Sequence, residues 1–481
     1  MIKNRAVVLG LIFSSAVLLC GCSKDSSFTE APTETSDETV EESGVLVSAS
    51  LEDVTTASEL ADKISEFIDI PVLDLLDLDL NELGLELRTY RIVYKTKDNR
   101  GNTIQLSGDV SYLANSLHPG IRILESVSLF HPAFFTDEGK STEYEQYAFP
   151  GRSIHNALVV YPHYQGVHEG RKEEYVEGHP VTVAELLLKA RQGIDCELAA
   201  IELVNKLEGV SLMPYYYTEN IGLSCGAGTA LATQYLLEND PQLKSVNKKS
   251  IRLAGTYCCE GCYSYSGLLS KLTEVVPYDE SLEEFTSMED FKPACLIAVI
   301  VGAYDTWKGL KDQNGNEFFA GVDDVREYFS EALLNSKELF EDDGRQITDI
   351  IAYFRTGTLS AHSRIFKRAG FLSSTMINPE LLKDGEIDTT NPKIKTLLDA
   401  LAQNDRILSD WTPSAQLCIS HSTSDEFVPY SQAFGVYKSL SESGRNRNVH
   451  LQTVSGLNHT DGNKFFGIKD IVLKKHPCSS L

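Results

Sequence analysis

The chain has 481 residues, 69 acidic against 43 basic, a formal charge of −26, and 42% hydrophobic side chains. That length buries a full core, and that composition belongs to a water-soluble globular protein rather than a disordered or polytopic membrane chain. So acidic a surface excludes nucleic acid, whose phosphates need a basic face, and excludes anchoring by attraction to anionic lipid headgroups.

Met1 to Arg5 carries two positive charges, and an apolar run from Ala6 to Leu19 follows. This is the layout of a secretory signal, too short for a permanent span. It ends in Leu19-Cys20-Gly21-Cys22, which resembles a bacterial lipobox; the resemblance implies that Cys22 is lipidated and becomes the first residue of the mature protein. From there to about Ser50, seven acidic residues face one lysine, a composition that predicts an acidic flexible linker over 22–50. Membrane attachment then rests on the covalent lipid, and the body of the protein is expected outside the cytoplasm.

Leu60, Ile64, Phe67 and Ile68 have helical spacing, so a helix and connection are expected over about Leu51 to Leu83. The pattern then turns to β: Tyr90 to Thr96, a turn at Asp98 to Asn102 and Thr103 to Tyr112 read as a hairpin, followed by strands over Ile123 to Phe130 and Ala157 to Tyr161. A helical stretch, Val181 to Leu207, precedes a strand from about Asn220 to Leu223 and a helix over Gly226 to Leu237. Ile251 to Gly255 is the next strand. After a mostly helical stretch from Tyr278 to about Asp410, the rhythm resumes with a strand at Gln416 to Ser420, a helix at Pro429 to Leu440 and a strand at Val449 to Val454. Alternating strands and helices predict an α/β fold with a mostly parallel sheet and right-handed crossovers.

Of ten cysteines, only Cys258, Cys259 and Cys262 cluster, and no second knuckle completes a zinc site; buried thiols or a disulfide are expected there. Gly222-Leu223-Ser224-Cys225-Gly226 is a G-x-S-x-G motif between a strand and a helix rich in small residues. A strained strand-to-helix turn needs such flanking glycines, and it presents the serine Oγ at the sheet edge as a nucleophile. The order strand, serine elbow, later Asp, later His resembles the α/β-hydrolase superfamily over about Leu87 to Leu473, more narrowly secreted lipases and esterases with a cap insertion. His421 to Pro429 resembles that family's H-G-x-x-D-x-x-V-P stretch, with Ser422 in place of the glycine, which makes Asp425 the implied triad acid and Glu426 the fallback. His459, in the polar loop after the last strand, is the implied base; His450, inside that strand, and His421, in a turn, are read as structural.

The resemblance further implies an oxyanion hole from the Cys225 N–H and an N–H of the loop after the third strand, where Pro132 cannot donate and Ala133 or Phe134 remain. His131 in that loop is a candidate substrate contact. Val159 to Gly166 resembles the family's P-D-Y-x-G strand end with His163 in the place of Asp, and the tyrosine run Tyr215 to Tyr217 is read as packing. The expected division is a signal peptide (1–21), a linker (22–50), a hydrolase core (51–277 and 411–481) and a helical cap insertion (278–410). The expected substrate is a small-molecule or lipid ester, with no metal or organic cofactor, since the triad supplies nucleophile and proton transfer. The rivals are a serine peptidase of the prolyl-oligopeptidase kind and an inactive hydrolase-fold protein kept for binding.

Overall fold

The computed structural model describes residues 44–56, 58–59, 62, 84–117, 120–130, 152–153, 155–165, 185–272, 292–335, 341–342, 345–346, 349–355, 376–408, 411–441 and 446–467. The signal and lipidation site, the loop carrying His131, Ala133 and Phe134, and the chain beyond 467 lie outside the described residues.

Nine strands form one sheet. In chain order they are β1 (Leu46–Thr56), β2 (Leu85–Lys97), β3 (Thr103–Asn115), β4 (Ile121–Phe130), β5 (Ala157–Pro162), β6 (Val210–Leu223), β7 (Leu253–Cys259), β8 (Gln416–Ser422) and β9 (Val449–Val454). Their spatial order is β1-β2-β3-β5-β4-β6-β7-β8-β9. The pairs from β5 to β9 are parallel, and β1, β2 and β3 add an antiparallel edge. The mostly parallel sheet is the one expected from the alternating pattern, and the architecture is that of the α/β-hydrolase fold which the resemblance implied.

β5, with the sequence ALVVYP, is buried at every position, as a central parallel strand covered on both faces must be. Its alternate residues divide between the faces: Leu158 and Val160 pack with Ala199, Ala200 and Leu203 of helix α1 (Leu186–Lys206), while Val159 and Tyr161 pack with Ile221, Leu223 and Phe466. Helix α2 (Cys225–Asn239) follows β6 directly. Helix α3 (Pro241–Lys249) starts at a sharp cap, where the Asp240 carboxylate accepts from the Gln242 and Leu243 N–H groups and Pro241 takes the position that needs no donor.

β7 and β8 are neighbours, yet the chain between them makes helices α4 (Tyr265–Leu272), α5 (Lys292–Trp307) and α6 (Pro392–Leu401) with short hairpins before returning. One continuous apolar cluster runs from Ala227, Ala230 and Leu231 of α2 into Leu296, Val299 and Ile300 of α5 and Leu397 of α6. The helical character expected of this segment is present, with shorter helices than periodicity suggested. Among the described residues, no helix is long and apolar enough to cross a membrane.

Two expectations are corrected. Leu46 to Thr56 is a strand, where the sequence predicted linker to residue 50 and helix from 51. Its side chains are mostly exposed, so no hydrophobic alternation marked it; backbone pairing to β2 and the Glu202 carboxylate accepting from the Val45 and Leu46 N–H groups (both 3.0 Å) hold it. β6 begins at Val210, ten residues earlier than expected, and contains the tyrosine run. Tyr216 is buried and donates to the Ser250 carbonyl, and Tyr217 donates to Glu125 (2.7 Å), so both are packing groups while Tyr215 is exposed.

Beneath the strand ends, Arg152 is wholly buried between Glu125 of β4 and Glu219 of β6. Its guanidinium gives both carboxylates, on neighbouring strands, a cationic partner out of water.

Candidate active site

β6 leads straight into Ser224, whose φ of 51° and ψ of −120° lie in a region that L-residues rarely occupy. The strain is held by hydrogen bonds on both sides: the Ser224 N–H donates to the Cys259 carbonyl (2.8 Å), and its own carbonyl accepts from Ala227 (3.0 Å) and Cys262 (3.2 Å). The glycines work by close approach. A Cβ at Gly222 would stand 2.2 Å from the Gly226 carbonyl oxygen, and one at Gly228 2.3 Å from that of Cys262. Small residues therefore let α2 begin directly above the strand.

The next strand ends bring up the partners. β8 closes at Ser422, and Asp425 lies three residues on; β9 closes at Val454, and His459 opens helix α7 (His459–Gly467). Ser224 Oγ is 2.9 Å from His459 Nε2, and His459 Nδ1 is 2.7 Å from Asp425 Oδ2. All three side chains are buried. Asp425 Oδ1 accepts from the Phe427 and Val428 N–H groups, each at 2.8 Å, so this oxygen is doubly occupied. Burial alone would raise it, but the His459 hydrogen bond and charge hold Asp425 below the usual carboxylate range. Glu426 does not reach the imidazole; it accepts from the His459 backbone N–H (3.0 Å) and fixes where the helix starts.

Three neighbours carry no motif in the sequence. Asn463, one turn along α7, places Nδ2 3.1 Å from His459 Nε2 and donates to the His459 carbonyl (3.0 Å). With Nδ1 facing Asp425, Nε2 is the acceptor atom, the tautomer a base needs. The i, i+4 spacing of His459 and Asn463 is the only sequence signal for it. Lys189 of α1 is buried 5.7 Å from the ring centre of Tyr164 and 5.9 Å from that of Tyr265, and burial lowers it to about 8.

The third neighbour is Glu260, the first residue after β7, with φ at 48° and no exposed surface. Its Oε1 accepts from the Ser422 N–H (2.8 Å), and its Oε2 lies 3.4 Å from His421 Nε2. One carboxyl oxygen each of Glu260 and Asp425 and one ring nitrogen of His459 fall within 4.8 Å of one another. Two ionised carboxylates at that range repel by about 3 kcal/mol at an effective dielectric near 20, before desolvation is counted. Burial and the adjoining Asp425 push Glu260 up to about 9.

The remaining candidates have plain structural partners. His421 is wholly buried at the end of β8 with Nε2 3.0 Å from the Val428 carbonyl, and burial lowers its basicity. His450 Nε2 pairs with Gln416 Oε1 (3.1 Å). His163 sits between Ser107 (2.7 Å) and Asp109 (3.2 Å) on β3, away from Ser224's partners. Cys258 and Cys262 are buried thiols, as are Cys225 and Cys295, and Cys418 is disulfide-bonded. Cys225 opens α2, where first-turn N–H groups have no partner within the helix and the dipole favours negative charge.

No protein family matches the chain as a profile, and no curated protein is similar to it in sequence. Solved structures do share its fold. A single-residue variant of the rice cell wall degrading esterase LipA from Xanthomonas oryzae is 17% identical, with 91% of this chain and 100% of that one covered at a TM-score of 0.64. A protein of Legionella pneumophila assigned as a hydrolase is 18% identical, with 90% and 98% covered at 0.62. The unaltered LipA gives 17%, 91%, 99% and 0.60. At such identities the likeness is one of fold: the chain has the α/β-hydrolase fold.

Proposed function

We propose that this chain is a serine hydrolase that cleaves carboxylic esters through an acyl-enzyme on Ser224. The observation that carries the reading is the unbroken line from Ser224 Oγ to His459 Nε2 and from His459 Nδ1 to Asp425, at 2.9 and 2.7 Å, on a strained elbow. Fold neighbours that are esterases agree with it.

His459 Nε2 takes the Ser224 proton as Oγ bonds to the ester carbonyl carbon, and Asp425 stabilises the imidazolium that results. The developing oxyanion is held by the Cys225 N–H at the head of α2 and by an N–H of Ala133 or Phe134. Collapse breaks the acyl–oxygen bond; the alcohol leaves with the proton that His459 carried. Water then repeats the sequence, with His459 taking its proton, and frees the acid. Asn463 keeps Nε2 oriented between turnovers.

The proposal extends to location: a lipid on Cys22 tethers the hydrolase outside the cytoplasm, and a Cys22→Ser chain would then no longer partition with membranes. The test of function is a fluorophosphonate probe with the wild type and Ser224→Ala, followed by a chain-length panel of p-nitrophenyl esters beside aminoacyl anilides. Labelling lost with Ser224 and turnover of esters are the expected results. Equal labelling of both proteins refutes the serine mechanism, and faster anilide turnover replaces the esterase with a peptidase.

A further inference from the structure

We propose that Glu260 is a positioning residue for the triad: its carboxyl group is protonated and donates a hydrogen bond to Asp425, which holds that carboxylate in line with His459. The inference rests on the hydrolase reading for its consequence, but its geometry stands apart from it.

Glu260 and Asp425 leave the carboxyl ends of adjacent parallel strands, β7 and β8, and are brought together although 165 positions separate them in sequence. Only one of two buried carboxyl groups so close can be ionised, and the surrounding donors decide which. Asp425 receives three hydrogen bonds, from His459 Nδ1 and two backbone N–H groups. Glu260 receives one, from Ser422 on Oε1, while Oε2 meets no donor among the described residues. His421 does not supply it, since its Nε2 proton is directed at the Val428 carbonyl (3.0 Å). An acceptor with no donor, buried against a carboxylate that already has three donors and keeps room for a fourth, is satisfied by carrying the proton itself and donating it there.

The surroundings are shaped for this contact. Glu260 stands in the left-handed region at φ 48°, a strained conformation for a residue with a side chain. Gly462 of α7 leaves the space: a Cβ there would lie 2.1 Å from Glu260 Oε1. The titratable groups that face Glu260 are His421, Asp425 and Glu426 from the β8 side, His459 from α7 and Tyr263 from its own segment. Burial and Asp425 together keep the proton on Glu260 until about pH 9. Above that, a second negative charge faces Asp425 and the hydrogen bond is gone.

Two substitutions in the full chain separate the roles. Glu260→Gln keeps a carbonyl oxygen for the Ser422 N–H and an amide donor for Asp425, and it cannot ionise. Glu260→Leu removes donor and acceptor together. The expected result is a wild-type kcat that falls above about pH 9, a Gln variant with near wild-type kcat at neutral pH and no alkaline fall, and a Leu variant with kcat lowered about 10- to 100-fold and KM little changed, the scale of losing a supporting contact. Should the Leu variant fail to fold, the Gln variant decides alone. The idea is overturned if the Gln variant keeps the alkaline fall, if it is as impaired at neutral pH as the Leu variant, or if metal analysis finds one ion per chain in the place of the proton. Failure of the hydrolase reading looks different: wild-type protein then takes no fluorophosphonate. In that case the low-field proton resonance of His459 Nδ1 is the deciding measurement: it should shift near pH 9 in wild type and stay put in Glu260→Gln, and a shift in both overturns the protonated Glu260.

Discussion

Replacing Asp425 with Asn changes one atom, and the local hydrogen bonds dictate which. The two N–H groups of Phe427 and Val428 point at Oδ1, so the amide carbonyl must stay there and the NH2 must take the place of Oδ2, 2.7 Å from His459 Nδ1. Two donors cannot face each other, so the imidazole moves its proton to Nε2. It then presents an N–H to Ser224 Oγ, 2.9 Å away, and has no lone pair to take the serine proton. The elbow, the helix dipole and the substrate contacts survive, which leaves residual catalysis. The loss of kcat expected for a wrong tautomer is about 10⁴-fold, equivalent to about 5.4 kcal/mol of transition-state stabilisation at 1.36 kcal/mol per decade. Initial rates on a p-nitrophenyl ester, normalised to the active-site concentration, measure it directly, and Glu426→Gln serves as the comparison because Glu426 accepts from the His459 backbone N–H and not from its imidazole. An Asp425→Asn rate within tenfold of wild type, or a larger loss in Glu426→Gln, refutes the assignment of Asp425 as the acid that orients His459.

Two further predictions concern the scaffold. Gly222→Ala forces a methyl group to within 2.2 Å of the Gly226 carbonyl, which is backbone and cannot rotate away; about 1–3 kcal/mol of stability and most of the activity should be lost together, checked by urea unfolding and by probe labelling rate. Unchanged labelling in a folded Gly222→Ala chain would contradict the close approach. Arg152→Leu removes the buried guanidinium that Glu125 and Glu219 share and should cost about 3–5 kcal/mol in urea unfolding, whereas a loss under about 1 kcal/mol would refute its weight in stability.

The sequence was most informative where chemistry and geometry are local. A glycine, a serine and another glycine within five residues encode the elbow, because the turn they permit is made by those residues alone. Asp425 and His459 were legible from chain order, since each follows a short apolar strand. Legibility ended wherever tertiary pairing creates the environment. β1 has mostly exposed side chains, so its existence depends on β2 and Glu202, which no periodicity reports. Glu260 sits in a cysteine-rich stretch that reads as buried thiols or a disulfide; its closeness to Asp425 follows only from β7 and β8 lying side by side. Asn463 needed the start of α7 to be known before its spacing from His459 meant anything.

That adjacency of β7 and β8 reaches beyond the site. The chain leaves the sheet at Cys259, the carboxyl end of β7, and re-enters at Gln416, the amino end of the neighbouring parallel β8, where its register partner is Gly255, so the intervening segment runs back along the sheet between two fixed points. The entropic cost of closing such a loop grows only with the logarithm of its length. A replacement segment of quite different size can therefore be spliced between the same two points without asking the sheet to rearrange. Not all of the segment is exchangeable: the Cys262 N–H donates to the Ser224 carbonyl, Glu260 accepts from the Ser422 N–H, and α5 and α6 share the apolar cluster of α2, so only the chain outside those contacts is free to change length.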